Sequence, residues 1–135
     1  MTAAQRSAHM ARIKRANTKP ELIVRRMLHA LGYRFRVQYK AVPGRPDLAF
    51  TRRRKVIQVH GCFWHAHEDC PAARAPKTRP DFWQAKFAAN RERDARLDAA
   101  AWEAGWESIT IWECEIDDHE TLRERLVRFL GPTRL

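Results

Sequence analysis

The chain has 135 residues, 26 Lys and Arg against 16 Asp and Glu, a formal charge of +10 and a pI near 10.4. That length suits one domain, residues 1–135, with a core large enough to need no disulfide. It carries no apolar run of the ~18 residues that a membrane span requires, and its basic N-terminus lacks the apolar stretch of a signal peptide.

In chain order, residues 5–15 form a basic arm. Thr18-Lys19-Pro20-Glu21 reads as a capping box with Pro in the first turn of a helix. That helix places Leu22, Ile23, Met27, Leu28 and Leu31 on one side and stops at Gly32. Residues 33–37 alternate as a strand, and Val42 to Arg45 is a turn. Residues 47–50 and 55–59 are two strands joined by the basic turn Arg52-Arg53-Arg54. Residues 61–80 lack periodicity and hold Pro71, Pro76 and Pro80, so they predict a long ordered loop that needs a function or a metal to hold it. Residues 81–104 predict a long charged helix ended by Gly105, 107–112 a strand with Ile109 and Ile111 facing one way, and 121–130 a final amphipathic helix. The order α-β-β-β-α-β-α predicts an α/β class: a small mixed sheet flanked by helices.

The charge attracts polyanions, with binding that weakens steeply in salt. Nucleic acid is the expected partner. An odd number of cysteines, three, predicts reduced thiols in the cytoplasm, where clustered cysteines favour metal binding or catalysis over disulfides.

The densest chemistry is HGCFWHAHEDC, His60 to Cys70. Cys62, His67, Cys70 and the distant Cys114 supply three sulfurs and one nitrogen, a tetrahedral set of the structural zinc type. If the strand ending before Cys114 neighbours the one leading into His60, zinc staples the loop to the sheet. His60 and His65 are then spare, and an imidazole near neutrality can take a proton from water or bind a phosphate. Spacing leaves open which of these histidines ligates the metal. Pro46-Asp47 opens one strand of the hairpin, where a carboxylate can hold Mg²⁺ against a scissile phosphate, although Pro-Asp is also a common turn dipeptide. Glu21 can orient a histidine or hold a metal-bound water, or simply cap its helix. Phe63, Trp64 and Trp83 lie in or beside the histidine loop and are suited to contact DNA, where an aromatic wedge gains contact area at the cost of unstacking. Trp102, Trp106, Trp112 and Phe82 read as core. The Arg-rich segments 6–15, 52–55 and 74–79 are candidate phosphate contacts.

Taken together, RSAHMARIKRANTKPE, PGRPDLAF, KVIQVHGCFWHAHEDC, RPDFWQAKFAANRERD and ITIWECE resemble the very-short-patch repair (Vsr) DNA mismatch endonucleases. The resemblance covers nearly the whole chain, from about Arg6 to Glu115. It implies a restriction-endonuclease-like core and nicking of one DNA strand 5′ to the thymine of a T:G mismatch, the product of 5-methylcytosine deamination. It further implies that Asp47 and the Val59 backbone carbonyl bind Mg²⁺, that His65 is the general base, and that Glu21 and His60 support it. Cys62, His67, Cys70 and Cys114 would hold a structural zinc. Phe63, Trp64 and Trp83 would enter the DNA, and Met10, on the arm of residues 1–17, would contact the opposite groove. Two departures stand out. Gln58-Val59-His60 supplies no carboxylate where the broader PD-(D/E)xK superfamily has one, and HAHEDC holds one more residue between its last His and Cys than the family's usual spacing.

A monomer in the cytoplasm, acting on double-stranded DNA and not on membranes, is the simplest expectation. Two alternatives remain at this level. One is a non-catalytic zinc DNA-binding module. The other is a related endonuclease with another deaminated base or site as its target.

Overall fold

The structure is a computed structural model that describes residues 18–62, 65, 67, 70 and 78–133. In chain order it contains α1 (Lys19–Ala30), β1 (Arg36–Val37), β2 (Leu48–Phe50), β3 (Lys55–His60), α2 (Pro80–Glu103), β4 (Glu107–Trp112), a 3₁₀ turn (Glu113–Glu115) and α3 (His119–Leu130). The four strands form one mixed sheet in the order β1-β2-β3-β4. The first two pairings are antiparallel and the third, β3 with β4, is parallel, with α2 in the crossover. This is the small mixed α/β sheet that the order of elements predicts.

Alternation along the strands divides the core in two. Leu48, Phe50, Ile57, Val59 and Ile111 face α1 and α3, where they meet Val24, Leu28, Leu122 and Leu126. Ala49 and Val56 face the other way, into a cluster with Ala101 of α2 and Trp106. By the same alternation Gln58, His60 and Trp112 belong to the α2 side. The candidate chemistry therefore sits on that face, where the hydrophobic packing thins out.

Several expectations change. Thr18 is the N-cap of α1, but its side chain makes no capping bond, and Glu21 is instead buried in a bond from Arg25. The buried stripe of α1 is Glu21, Val24 and Leu28, while Leu22 is exposed. The strand expected over 33–37 is reduced to two residues. The N–H of Tyr33 is still used to close α1 on Leu28, and its ring turns into the core. Trp102 is 68 % exposed and Phe82 is 43 % exposed, so neither is core, whereas Trp106 is buried as expected.

The basic turn also has a structural job. Arg53 donates to the carbonyls of Leu130 (3.0 Å) and Pro132 (2.8 Å), Arg54 to that of Ala104 (2.9 Å), and Lys55 to that of Phe129 (2.5 Å). Tyr33 completes the set with a hydroxyl bond to the Gly131 carbonyl. Helix C-termini leave carbonyls unsatisfied and carry negative dipole ends, so these cations cap α2 and α3 from outside. Arg53→Ala should therefore cost about 1–3 kcal/mol of stability, while the exposed Arg52→Ala should cost less than about 0.5 kcal/mol. Urea denaturation of the two variants checks this, and equal midpoints would return the turn to a solvated role.

Candidate active site and metal centre

The site begins with the register of β3 and β4. His60 pairs with Trp112, so their side chains leave the sheet on the same face. Two residues further on, each strand delivers a cysteine, and the backbone N–H of Cys114 points at Cys62 Sγ (3.4 Å). The chain after Cys62 folds back over this edge through bonds from His65 N to Gly61 O (3.2 Å) and His67 N to Cys62 O (3.0 Å). His65 and His67, two residues apart, then land on different partners. The His65 ring stacks on His60 at 3.7 Å, and the His67 ring stacks on Trp112 at 4.1 Å.

Two donor clusters result. Cys62, His67, Cys70 and Cys114 bring four ligand atoms within 4.8 Å of one another. His67 Nδ1 lies 3.5 Å from Cys114 Sγ. Burial pushes the Cys62 thiol up to about 12, and burial likewise raises Cys114. Three thiols and an imidazole closing on one point are the donor set of a soft, tetrahedral cation, so the residues fit a metal such as zinc. The extra residue in HAHEDC does not prevent His67 from joining the cysteines.

The second cluster is His60, His65 and Asp94, whose ligand atoms also lie within 4.8 Å of one another. Asp94 bonds His65 Nδ1 at 2.6 Å. Burial alone would raise the Asp94 carboxyl, but the hydrogen bond and charge of His65 hold it below the usual carboxylate range. Burial and the neighbouring His65 charge push His60 down to about 4. The pair therefore divides its work near neutral pH: His60 is uncharged, and His65 has a carboxylate fixed behind it.

Asp94 was missed in the sequence, although a signal exists. Trp83, Phe87, Asn90, Asp94, Leu97 and Ala101 follow one another at spacings of four and three along α2, the spacing of a single inward stripe. A carboxylate in the middle of an inward stripe needs a partner, and His65 is that partner.

Asp47 stands just before β2 and is 9 % exposed. Its Oδ2 accepts the Val59 N–H (2.6 Å) and its Oδ1 accepts from Gln38 Nε2 (3.1 Å). Burial raises its carboxyl, opposed by those two bonds and by the charges of Arg25 and His65. Each oxygen keeps a second lone pair, so the carboxylate still fits a hard cation. Asp47 meets Val59 through the N–H. Glu21 reaches this neighbourhood through Arg25, which it holds at 3.2 Å. Trp83, in the first turns of α2, is half-buried with its ring edge-on to Phe82 and tilted on Phe87. Met10, Phe63 and Trp64 lie outside the described residues.

A family model described as DNA mismatch endonuclease Vsr matches residues 1–71. The chain is also 46% identical, over 92% of its length and 90% of the relative's, to a type II nicking enzyme, V.XorIIP, of Xanthomonas oryzae.

The chain belongs to the Vsr DNA mismatch endonuclease family.

The DNA mismatch endonuclease Vsr of Escherichia coli is 40% identical over 90% of this chain and 77% of its own. A type II nicking enzyme of Neisseria meningitidis, V.NmeAIP, is 37% identical over 96% of this chain and 91% of its own. The two donor clusters thus lie in a Vsr-family chain, one of three thiols and an imidazole, the other of two imidazoles and a carboxylate. Cys114→Ser should lower the content of thiol-bound metal in the purified protein to less than half that of the parent. Elemental analysis checks this, and full retention would remove Cys114 from the ligand set.

Proposed function

We propose that this protein nicks one strand of double-stranded DNA 5′ to the thymine of a T:G mismatch by Mg²⁺-dependent phosphodiester hydrolysis, and so initiates very-short-patch repair. The observation that carries this reading is the His65–Asp94 pair, 2.6 Å apart, beside the neutral His60 and with the charge of His65 felt at the buried Asp47. Family membership and the basic charge point the same way.

In this reading Asp47 and the Val59 carbonyl hold Mg²⁺, with Glu21 and Arg25 ordering the approach to it. The cation, when bound, supplies a positive charge against the charge that grows on the phosphate. Asp94 keeps the Nδ1 proton of His65, which leaves Nε2 as the basic nitrogen. His65 Nε2 takes the proton of the water that attacks phosphorus, Asp94 stabilises the imidazolium that forms, and as the new bond forms the ester bond from phosphorus to the sugar oxygen opposite the water breaks, that oxygen taking up a proton from solvent. His60, neutral at working pH, offers a hydrogen bond to the phosphate without adding a charge that would oppose protonation of His65. Cys62, His67, Cys70 and Cys114 would hold zinc, which would fix the loop that carries His65. Phe63, Trp64 and Trp83 enter the DNA beside the mismatch, and Met10 on the arm of residues 1–17 reaches the opposite groove. A restriction-endonuclease-like core, action as a monomer and a cytoplasmic location complete the reading.

Asp47→Asn should abolish nicking while leaving fold and duplex binding in place. Asp94→Asn should slow nicking by about 10²- to 10⁴-fold, because the base loses its orienting partner. End-labelled duplexes with T:G, U:G, hypoxanthine or fully paired centres, incubated with Mg²⁺, test both. A nick 5′ of T in T:G alone supports the reading. Cleavage of other lesions revises the target, and tight binding without any cleavage would leave a zinc DNA-binding module.

A further inference from the structure

One residue belongs to both clusters without donating a ligand to either. Trp112 ends β4, and its register partner across the parallel pair is His60. Its ring lies flat under His67, at 4.1 Å and 10° between planes. The same ring meets His60 edge-on at 5.4 Å and His65 at 6.4 Å. Four rings thus form two adjoining stacks, His65 on His60 and His67 on Trp112. The strand ends form the floor, and the returning loop forms the upper layer.

The backbone under Trp112 is held firmly. Its N–H donates to Glu115 Oε1 (3.1 Å), and Glu115 Oε2 accepts from Arg125 of α3 (2.5 Å). A flat ring on a fixed base sets the plane of an imidazole stacked upon it, which aims His67 Nδ1 at Cys114 Sγ. The indole also stands edge-on to His60 and His65, a contact that opposes their sliding toward the metal centre. Aromatic pairs of this kind add a small attraction beyond the area they bury. That is modest as stability, but it is enough to select one ring orientation over its alternatives.

We propose that Trp112 is a positioning residue that couples the Cys62–His67–Cys70–Cys114 metal centre to the catalytic His60–His65 pair. The inference deepens the nicking reading and rests on it for one of its readouts. Displacing a reacting group by as little as 1 Å costs rates of the order of a hundredfold, so a loosened histidine pair should show in the chemical step and not in DNA binding.

The test compares Trp112→Leu, which removes the flat ring, with Trp112→Phe, which keeps one. Four quantities are measured: metal content, affinity for a T:G duplex, single-turnover nicking at saturating DNA, and the imidazole NMR signals of His60 and His65. The Leu variant should retain its metal and its affinity, nick about ten- to a hundredfold more slowly, and show broadened or multiple imidazole signals. The Phe variant should recover most of the rate and show single sharp signals. Parental rate and sharp signals in the Leu variant would overturn the coupling. So would a loss confined to DNA affinity, a loss that only follows loss of metal, or a Phe variant as slow as Leu. If the parent itself fails to nick, the nicking reading falls, and the imidazole signals still decide whether Trp112 holds the pair.

Discussion

Everything chemical in this protein depends on the in-register parallel pairing of β3 with β4. Six consecutive pairs, from Lys55 with Glu107 to His60 with Trp112, bring two distant stretches of chain to one sheet edge. Because side chains alternate with a period of two, a slip of one residue would send Trp112 to the opposite face from His60 and part Cys62 from Cys114. The register is held from the other side of the sheet, where Ile57, Val59 and Ile111 are buried against α1 and α3. Hydrophobic packing on one face thus determines ligand and proton chemistry on the other.

The α2 face shows how a small sheet makes room for reactive groups. Toward Gly105 it closes with Ala101 on Val56 and Trp106. Toward the ends of β3 and β4 the inward stripe of α2 turns polar, at Asn90 and Asp94. A half-buried carboxylate is costly without a partner, and the His65 imidazole both satisfies Asp94 and gains a fixed orientation from it. One hydrogen bond therefore serves burial and reactivity together. The strong positive charge is not all turned outward either. Arg53, Arg54 and Lys55 bond carbonyls at the ends of α2 and α3, so part of the basic charge serves the fold itself.

The candidate site was largely legible in residue types and spacing. The Cys62, His67, Cys70 and Cys114 group could be assembled from the sequence because soft donors are few and a tetrahedral ion needs four of them. Asp47 stood out as the carboxylate opening a hairpin strand. The choice between His65 and His67 was not legible, since both lie in a loop with no period. Two backbone turn bonds, to Gly61 and Cys62, send one ring to His60 and the other to Trp112. Asp94 and Trp112 were hidden for another reason. In local sequence they look like a charged helix position and an ordinary core aromatic, and only their distant partners give them a role.

The sequence by itself determined the class of fold, the strands β2, β3 and β4 to within a residue at their ends, and the Cys62, His67, Cys70 and Cys114 donor set. Those follow from local periodicity, turn chemistry and the scarcity of cysteine and histidine. The tertiary structure alone decided which faces are buried. It exposed Leu22 and Trp102, turned Glu21 inward and shortened the first strand to Arg36–Val37. It also decided which histidine meets Asp94 and which meets the cysteines. These are outcomes of long-range packing: a side chain's environment is set by whatever the sheet register and the helix crossover bring beside it, and that information is not contained in its neighbours along the chain.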